Sequence, residues 1–114
     1  MTINSRDKGA RGEREFANLL CDQGFNARRG QQFSGSKDSP DVVCTALSPF
    51  HFEVKRVERG NLYDWMAQAE RDAGPDKIPV VAHRRNKEEW VAILPMDDFL
   101  KISSWLKDHA VQEH

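Results

Sequence analysis

Four charged residues occupy positions that the surrounding pattern would give to apolar side chains, and their types suit work on a phosphodiester. Asp41 follows Pro40 and leads directly into Val42-Val43, an acid at the mouth of a β-branched strand. Further along, Glu53-Val54-Lys55 sets a carboxylate and an ammonium on one face of a second strand, because strand side chains alternate. Glu13 precedes Phe16, Ala17 and Leu20 by three, four and seven positions, which puts its carboxylate on the apolar stripe of a helix. Two acids on adjacent strands, with the intervening carbonyl of Val54, can hold Mg²⁺, a hard cation that prefers carboxylate, carbonyl and water oxygens. The neighbouring lysine can orient an attacking water and stabilise charge as it develops on phosphorus-bound oxygens.

Each signal has an ordinary explanation when taken alone. Glu13 can sit at the rim of its stripe and pair with Arg14. Asp41 can be a turn aspartate, and Glu53 and Lys55 can be the solvated side of a half-buried strand. Their spacing together weighs against this. Asp41 and Glu53 are 12 positions apart with a Ser48-Pro49 turn between them, which suits two antiparallel strands whose ends bring both acids together.

The elements that must position these groups are legible in the chain. A helix is expected from residue 6 or 8 to about 23, capped by Ser5 and stopped by Gly24. Residues 27–29 form a weak strand, and 30–40 read as a loop rich in Gly, Ser and Gln. Strands are expected at 41–45 and 51–57, then a helix at 62–73 with Leu62, Trp65, Met66 and Ala69 on one stripe. Strands at 78–83 and 89–94 follow, joined by the basic turn Arg84-Arg85-Asn86-Lys87. Pro95 and Asp97-Asp98 open a last helix whose apolar positions are Phe99, Leu100, Ile102, Trp105 and Leu106. That order predicts an α/β (α+β) fold, a single domain over 1–114 with a central mixed sheet flanked by helices.

Composition narrows the class. The chain has 114 residues, 39% hydrophobic and 31% charged, enough for one modest core and far from a disordered composition. No run approaches the length of a bilayer span, and the N-terminal stretch has no signal-peptide core, so an intracellular, cytoplasmic protein without a membrane partner is expected. Cys21 and Cys44 show neither zinc-site nor disulfide-framework spacing. Net charge is −1, but residues 1–37 carry seven basic against four acidic side chains, an asymmetry compatible with a polyanionic partner.

Read in order, Pro40-Asp41 and Glu53-Val54-Lys55 resemble the signature of the PD-(D/E)XK nuclease superfamily. The preceding residues, Lys8-Gly9, Glu13-Arg14-Glu15-Phe16, Leu19-Leu20, Gly24-Phe25, Arg29 and Gly35-Ser36-Lys37, resemble the archaeal-type Holliday junction resolvases and related phage proteins. The resemblance spans residues 8 to about 57. It implies a restriction-endonuclease-like core, αβββαβ, and a Mg²⁺-dependent endonuclease (Mn²⁺ substituting) that cuts four-way or otherwise branched DNA as a homodimer, without an organic cofactor. By the same analogy Asp41, Glu53 and the Val54 carbonyl hold the metal. Lys55 serves the water and the scissile phosphate, Glu13 completes the acidic cluster, and Ser36 contacts the phosphate or the metal-bound water. Arg14, Arg29, Lys37, Arg84 and Arg85 would bind the DNA backbone. Gln68, on the helix after Lys55, is a further candidate for steadying the site.

The remaining residues divide between site and scaffold. His51 shares the parity of Glu53 and could border the site, His83 reads as a surface residue, and Trp65, Trp90 and Trp105 read as core or interface. The alternatives are a general or nicking nuclease of the same superfamily, a non-catalytic DNA-binding module, and a small interaction protein with solvent-facing charges. A phage or mobile-element origin fits the resemblance.

Overall fold

The structure, a computed structural model, describes residues 5–30 and 40–110. Helix α1 spans Ser5–Asp22, and Gly24, at φ 95°, follows its end as the sequence predicts. Three strands follow: β1 (Ala27–Arg29), β2 (Val42–Cys44) and β3 (Phe50–Arg56). Helix α2 (Leu62–Ala73), strands β4 (Ile78–Arg84) and β5 (Val91–Ile93), and helix α3 (Met96–Ala110) complete the chain.

The strands form one mixed sheet in the order β1-β2-β3-β4-β5. β1 to β3 pair antiparallel, β3 and β4 run parallel, and β5 returns antiparallel to β4. The parallel pair needs a crossover, and α2 supplies it. Helix α1 lies against β1, β2 and β3, while α2 lies against β3 and β4. Alternation along β3 assigns the two faces. Phe52 and Val54 join Phe16 and Ala17 of α1, Val42, Val80 and Ala82 in the buried core, with the Phe16 and Phe52 rings edge-on at 5.3 Å. His51, Glu53 and Lys55 take the other parity, on the side of α2, whose Ala69 is wholly buried. Gly12 lets α1 approach closely, because a Cβ there would press on the Cβ of Arg56 and leave no room for the helix to rest on β3.

The structure trims two expected strands. β2 ends at Cys44, and Thr45–Leu47 coils into one 3₁₀ turn that carries the chain to β3. β5 is confined to Val91–Ile93: the turn that leaves β4 is closed by the Glu88 N–H donating to the Arg85 carbonyl, and Glu89, Trp90 and Leu94 stay outside the ladder. Among the described residues no helix is long and apolar enough to cross a membrane.

Candidate active site

Asp41 is fixed by three hydrogen bonds just ahead of β2. Its N–H donates to the Phe52 carbonyl (2.9 Å), its own carbonyl accepts from the Gly30 N–H (2.8 Å), and its Oδ2 accepts from the Val54 N–H (2.8 Å). The carboxylate is thus held against the backbone of β3, beside Glu53. Gly30 is the residue that permits this, since a Cβ there would run into the Pro40 carbonyl oxygen. Within a strand, the N–H and C=O of one residue point to the same side, so the Val54 carbonyl also faces Asp41.

Glu53 is buried, at 4% exposure, on the face that α2 covers. Burial and the Glu53 charge push the Asp41 carboxyl from its ordinary 3.8 up to about 7, although the Val54 hydrogen bond and Lys55 pull the other way. Asp41 and Glu53 also hydrogen-bond side chain to side chain, an arrangement that two carboxylates reach by sharing a proton. Glu13 reaches the same group from α1. Burial raises its pKa, as does the charge of Asp41, while a 3.0 Å ion pair with Arg29 opposes the rise. Lys55 completes the cluster and donates to Gln68 Oε1 on α2 at 3.2 Å. Asn61 sets the start of that helix by accepting from the Tyr63 and Asp64 N–H groups.

The structure therefore brings Glu13, Asp41, Glu53, Lys55 and Gln68 together, with Arg29 at the margin. Arg14 and Arg85 are exposed, on α1 and on the turn after β4. Arg84 is engaged elsewhere. It pairs with Glu15, donates to the Glu88 carbonyl, and shares Glu15 with Arg56, on the α1 side of the sheet. Ser36 and Lys37 lie outside the described residues.

Two further groups join the site, and only the first has a sequence signal. His51, 2% exposed, shares a 2.9 Å hydrogen bond with Glu53 Oε1. Asp72 on α2 comes close enough that His51, Glu53 and Asp72 each offer a ligand atom within 4.8 Å of the others. Strand parity places His51 near Glu53, but Asp72 arrives only through the packing of α2. His83 is half-buried, its Nε2 3.0 Å from the Val57 carbonyl and its ring 4.8 Å from that of Trp65.

A half-buried carboxyl pushed up to about 7 beside a second, buried carboxylate marks a place where a divalent cation can neutralise the pair in place of a proton. Asp41, Glu53 and the Val54 carbonyl offer the oxygen donors that such a cation requires, so the residues present fit the metal of a PD-(D/E)XK nuclease. Fold and cluster together define a chain with a restriction-endonuclease-like core. Residues 4–114 match a family model described as "Phage putative PDDEXK endonuclease", and the chain belongs to that family. It is thereby a phage-type member of the PD-(D/E)XK nucleases, enzymes that generally use a divalent metal on DNA. No curated protein and no solved structure matches the chain.

Proposed function

We propose that the protein is a Mg²⁺-dependent endonuclease that hydrolyses backbone phosphodiesters of branched DNA, four-way junctions above all. The observation that carries the hydrolytic part is the desolvated Asp41–Glu53 pair beside Lys55. Asp41, Glu53 and the Val54 carbonyl would hold the cation, which supplies charge neutralisation and lowers the pKa of water. Lys55, steadied by Gln68, orients the attacking water and faces the charge that accumulates on the non-bridging phosphate oxygens. Glu13 takes part in the acidic cluster and keeps Arg29 at its edge, where the guanidinium can meet a flanking phosphate. Arg14 and Arg85, both exposed, extend the backbone contacts, and Ser36 and Lys37, which precede Asp41 in the sequence, are proposed for the same DNA strand.

The junction preference rests on the order of the N-terminal motifs, from Lys8-Gly9 through Gly35-Ser36-Lys37 to Asp41. Paired cuts across a four-way junction need two sites related by a two-fold axis, so a homodimer belongs to the same proposal. The test is cleavage of a labelled four-way junction and of a matched duplex, each with Mg²⁺ or with EDTA. Metal-dependent cutting of the junction alone is expected. Equal cutting of both would replace the junction enzyme by a general nuclease, and binding without cutting would leave a DNA-binding module.

A further inference from the structure

Helix α3 carries an apolar stripe that the other described residues cover only in part. None of its residues is buried or joins the core, and Phe99, Leu100, Trp105 and Leu106 are each about half exposed. Successive turns align Phe99, Ile102 and Leu106 on one face, with Trp105 beside it stacked on His109 at 4.0 Å. The helix is about 22 Å long, too short to hold together in water on propensity alone. The chain is elongated to match, 59 Å along its longest axis against 29 and 26 Å across.

Beside this helix the described residues also leave part of the sheet open. A groove of about 450 Å³ lies over the core face toward β5, lined by Leu19 of α1, Phe50 and Trp90 and by Phe99 and Ile102 of α3 itself. Its lining is almost wholly apolar. One molecule thus presents both a partly covered apolar helix and an open apolar groove. They share Phe99 and Ile102, so whatever fills the groove also meets the helix.

We propose that the occupant is a second copy of this chain, with each α3 laid along the groove and the α3 of its partner across a two-fold axis. A self-complementary surface satisfies both unpartnered features at once, as an isologous contact must. The area reaches the low end of a specific contact: Phe99, Trp105, Leu106 and Val91, each about half exposed, leave roughly 500 Å² open per chain, or about 1,000 Å² across a two-fold contact. The proposal supplies a surface for the dimer that the nuclease reading requires, but it depends on apolar burial and on no catalytic residue.

Sedimentation velocity on the full chain tests it, with Leu106→Glu as the first variant. The wild type should sediment as a dimer at micromolar concentration, and Leu106→Glu as a folded monomer with self-association weakened roughly a hundredfold or more. A wild-type monomer, or a variant that remains a wild-type dimer, would overturn the proposal. A cross-link covers the case in which the glutamate variant does not fold. In a Cys21→Ser background, chains bearing Leu19→Cys are mixed with chains bearing Leu106→Cys and oxidised. A disulfide joining the two kinds of chain is expected, and a dimer that never forms it overturns the groove as the docking site. Because sedimentation and cross-linking need no DNA, failure of junction cleavage and failure of this interface are read separately.

Discussion

Asp41 is where the local physics and the proposed chemistry meet. Its carboxyl is pushed up to about 7 by burial and by Glu53, against 3.8 for an unperturbed aspartate. Such a group favours the folded state when protonated. Its contribution is complete below about pH 4 and is lost as pH rises through 7. Metal-free protein should therefore melt at a lower temperature at pH 8 than at pH 5, and Asp41→Asn should flatten that dependence. Melting curves in EDTA at the two pH values decide it, and an equally steep loss in the variant would remove Asp41 as the source. Cleavage should run the opposite way, rising as Asp41 ionises. Lys55→Met should reduce kcat by about 10²–10⁴ while cation binding persists, as expected of a residue that acts on water and phosphate rather than on the metal. Comparing single-turnover rates with Mn²⁺ affinity separates those two roles. At this scale the sequence was informative wherever parity could speak. Alternation alone paired Glu53 with Lys55 and put His51 on their side. It could not supply Asp72, or reveal that Arg84 is drawn to Glu15, because those partners lie 19 or more positions away and meet only through packing.

The elements explain why the cluster holds its shape. Helix α2 runs over the residues its periodicity predicts, Leu62–Ala73, because Asn61 caps one end and Gly74 closes the other. Asn61→Ala should cost about 1 kcal/mol of stability, measurable by urea unfolding, and should loosen the Lys55–Gln68 contact. Strand β3 was equally legible, since its core parity and its charged parity differ so sharply. Phe52 lies on the core side of the site-bearing strand, against Phe16, and Phe52→Ala should cost about 3–5 kcal/mol. A loss below 1 kcal/mol would mean that the face beneath Glu53 is not the packed core described. The short strands were harder to delimit. Thr45 has strand propensity, yet it enters a 3₁₀ turn because β3 must be reached within a few residues of Cys44. The expected strand at 89–94 shrank for a comparable reason. Lys87, at φ 67°, turns the chain sharply after β4 and leaves Glu88 and Glu89 outside the ladder.

Across the whole molecule, a core built by α1, β2, β3 and β4, with α2 packed on the opposite face of the sheet, draws together side chains that are remote in the polymer. Glu13 comes from the helix, Asp41 from the entry to β2, Glu53 and Lys55 from β3, and Gln68 from the crossover. The cationic side chains are spread more widely, with Arg29 at the margin of the site and Arg85 on the turn after β4. Arg29→Ala should weaken DNA binding on every sequence and lower the salt slope by about one unit, as loss of one phosphate contact does. Binding measured across a salt series checks this, and an unchanged slope would take Arg29 out of the interface. The fate of α3 was the least legible feature, since an apolar stripe reads the same whether it meets its own core or another molecule. The central claim, that Asp41 and Glu53 form one cation-holding pair, is tested most directly by titrating Mn²⁺ into DNA-free protein and following free Mn²⁺ by electron paramagnetic resonance. Wild type should bind the ion, more tightly at pH 8 than at pH 6, whereas Asp41→Asn and Glu53→Gln should each lose most of that affinity while remaining folded. Undiminished binding in both folded variants would contradict the account.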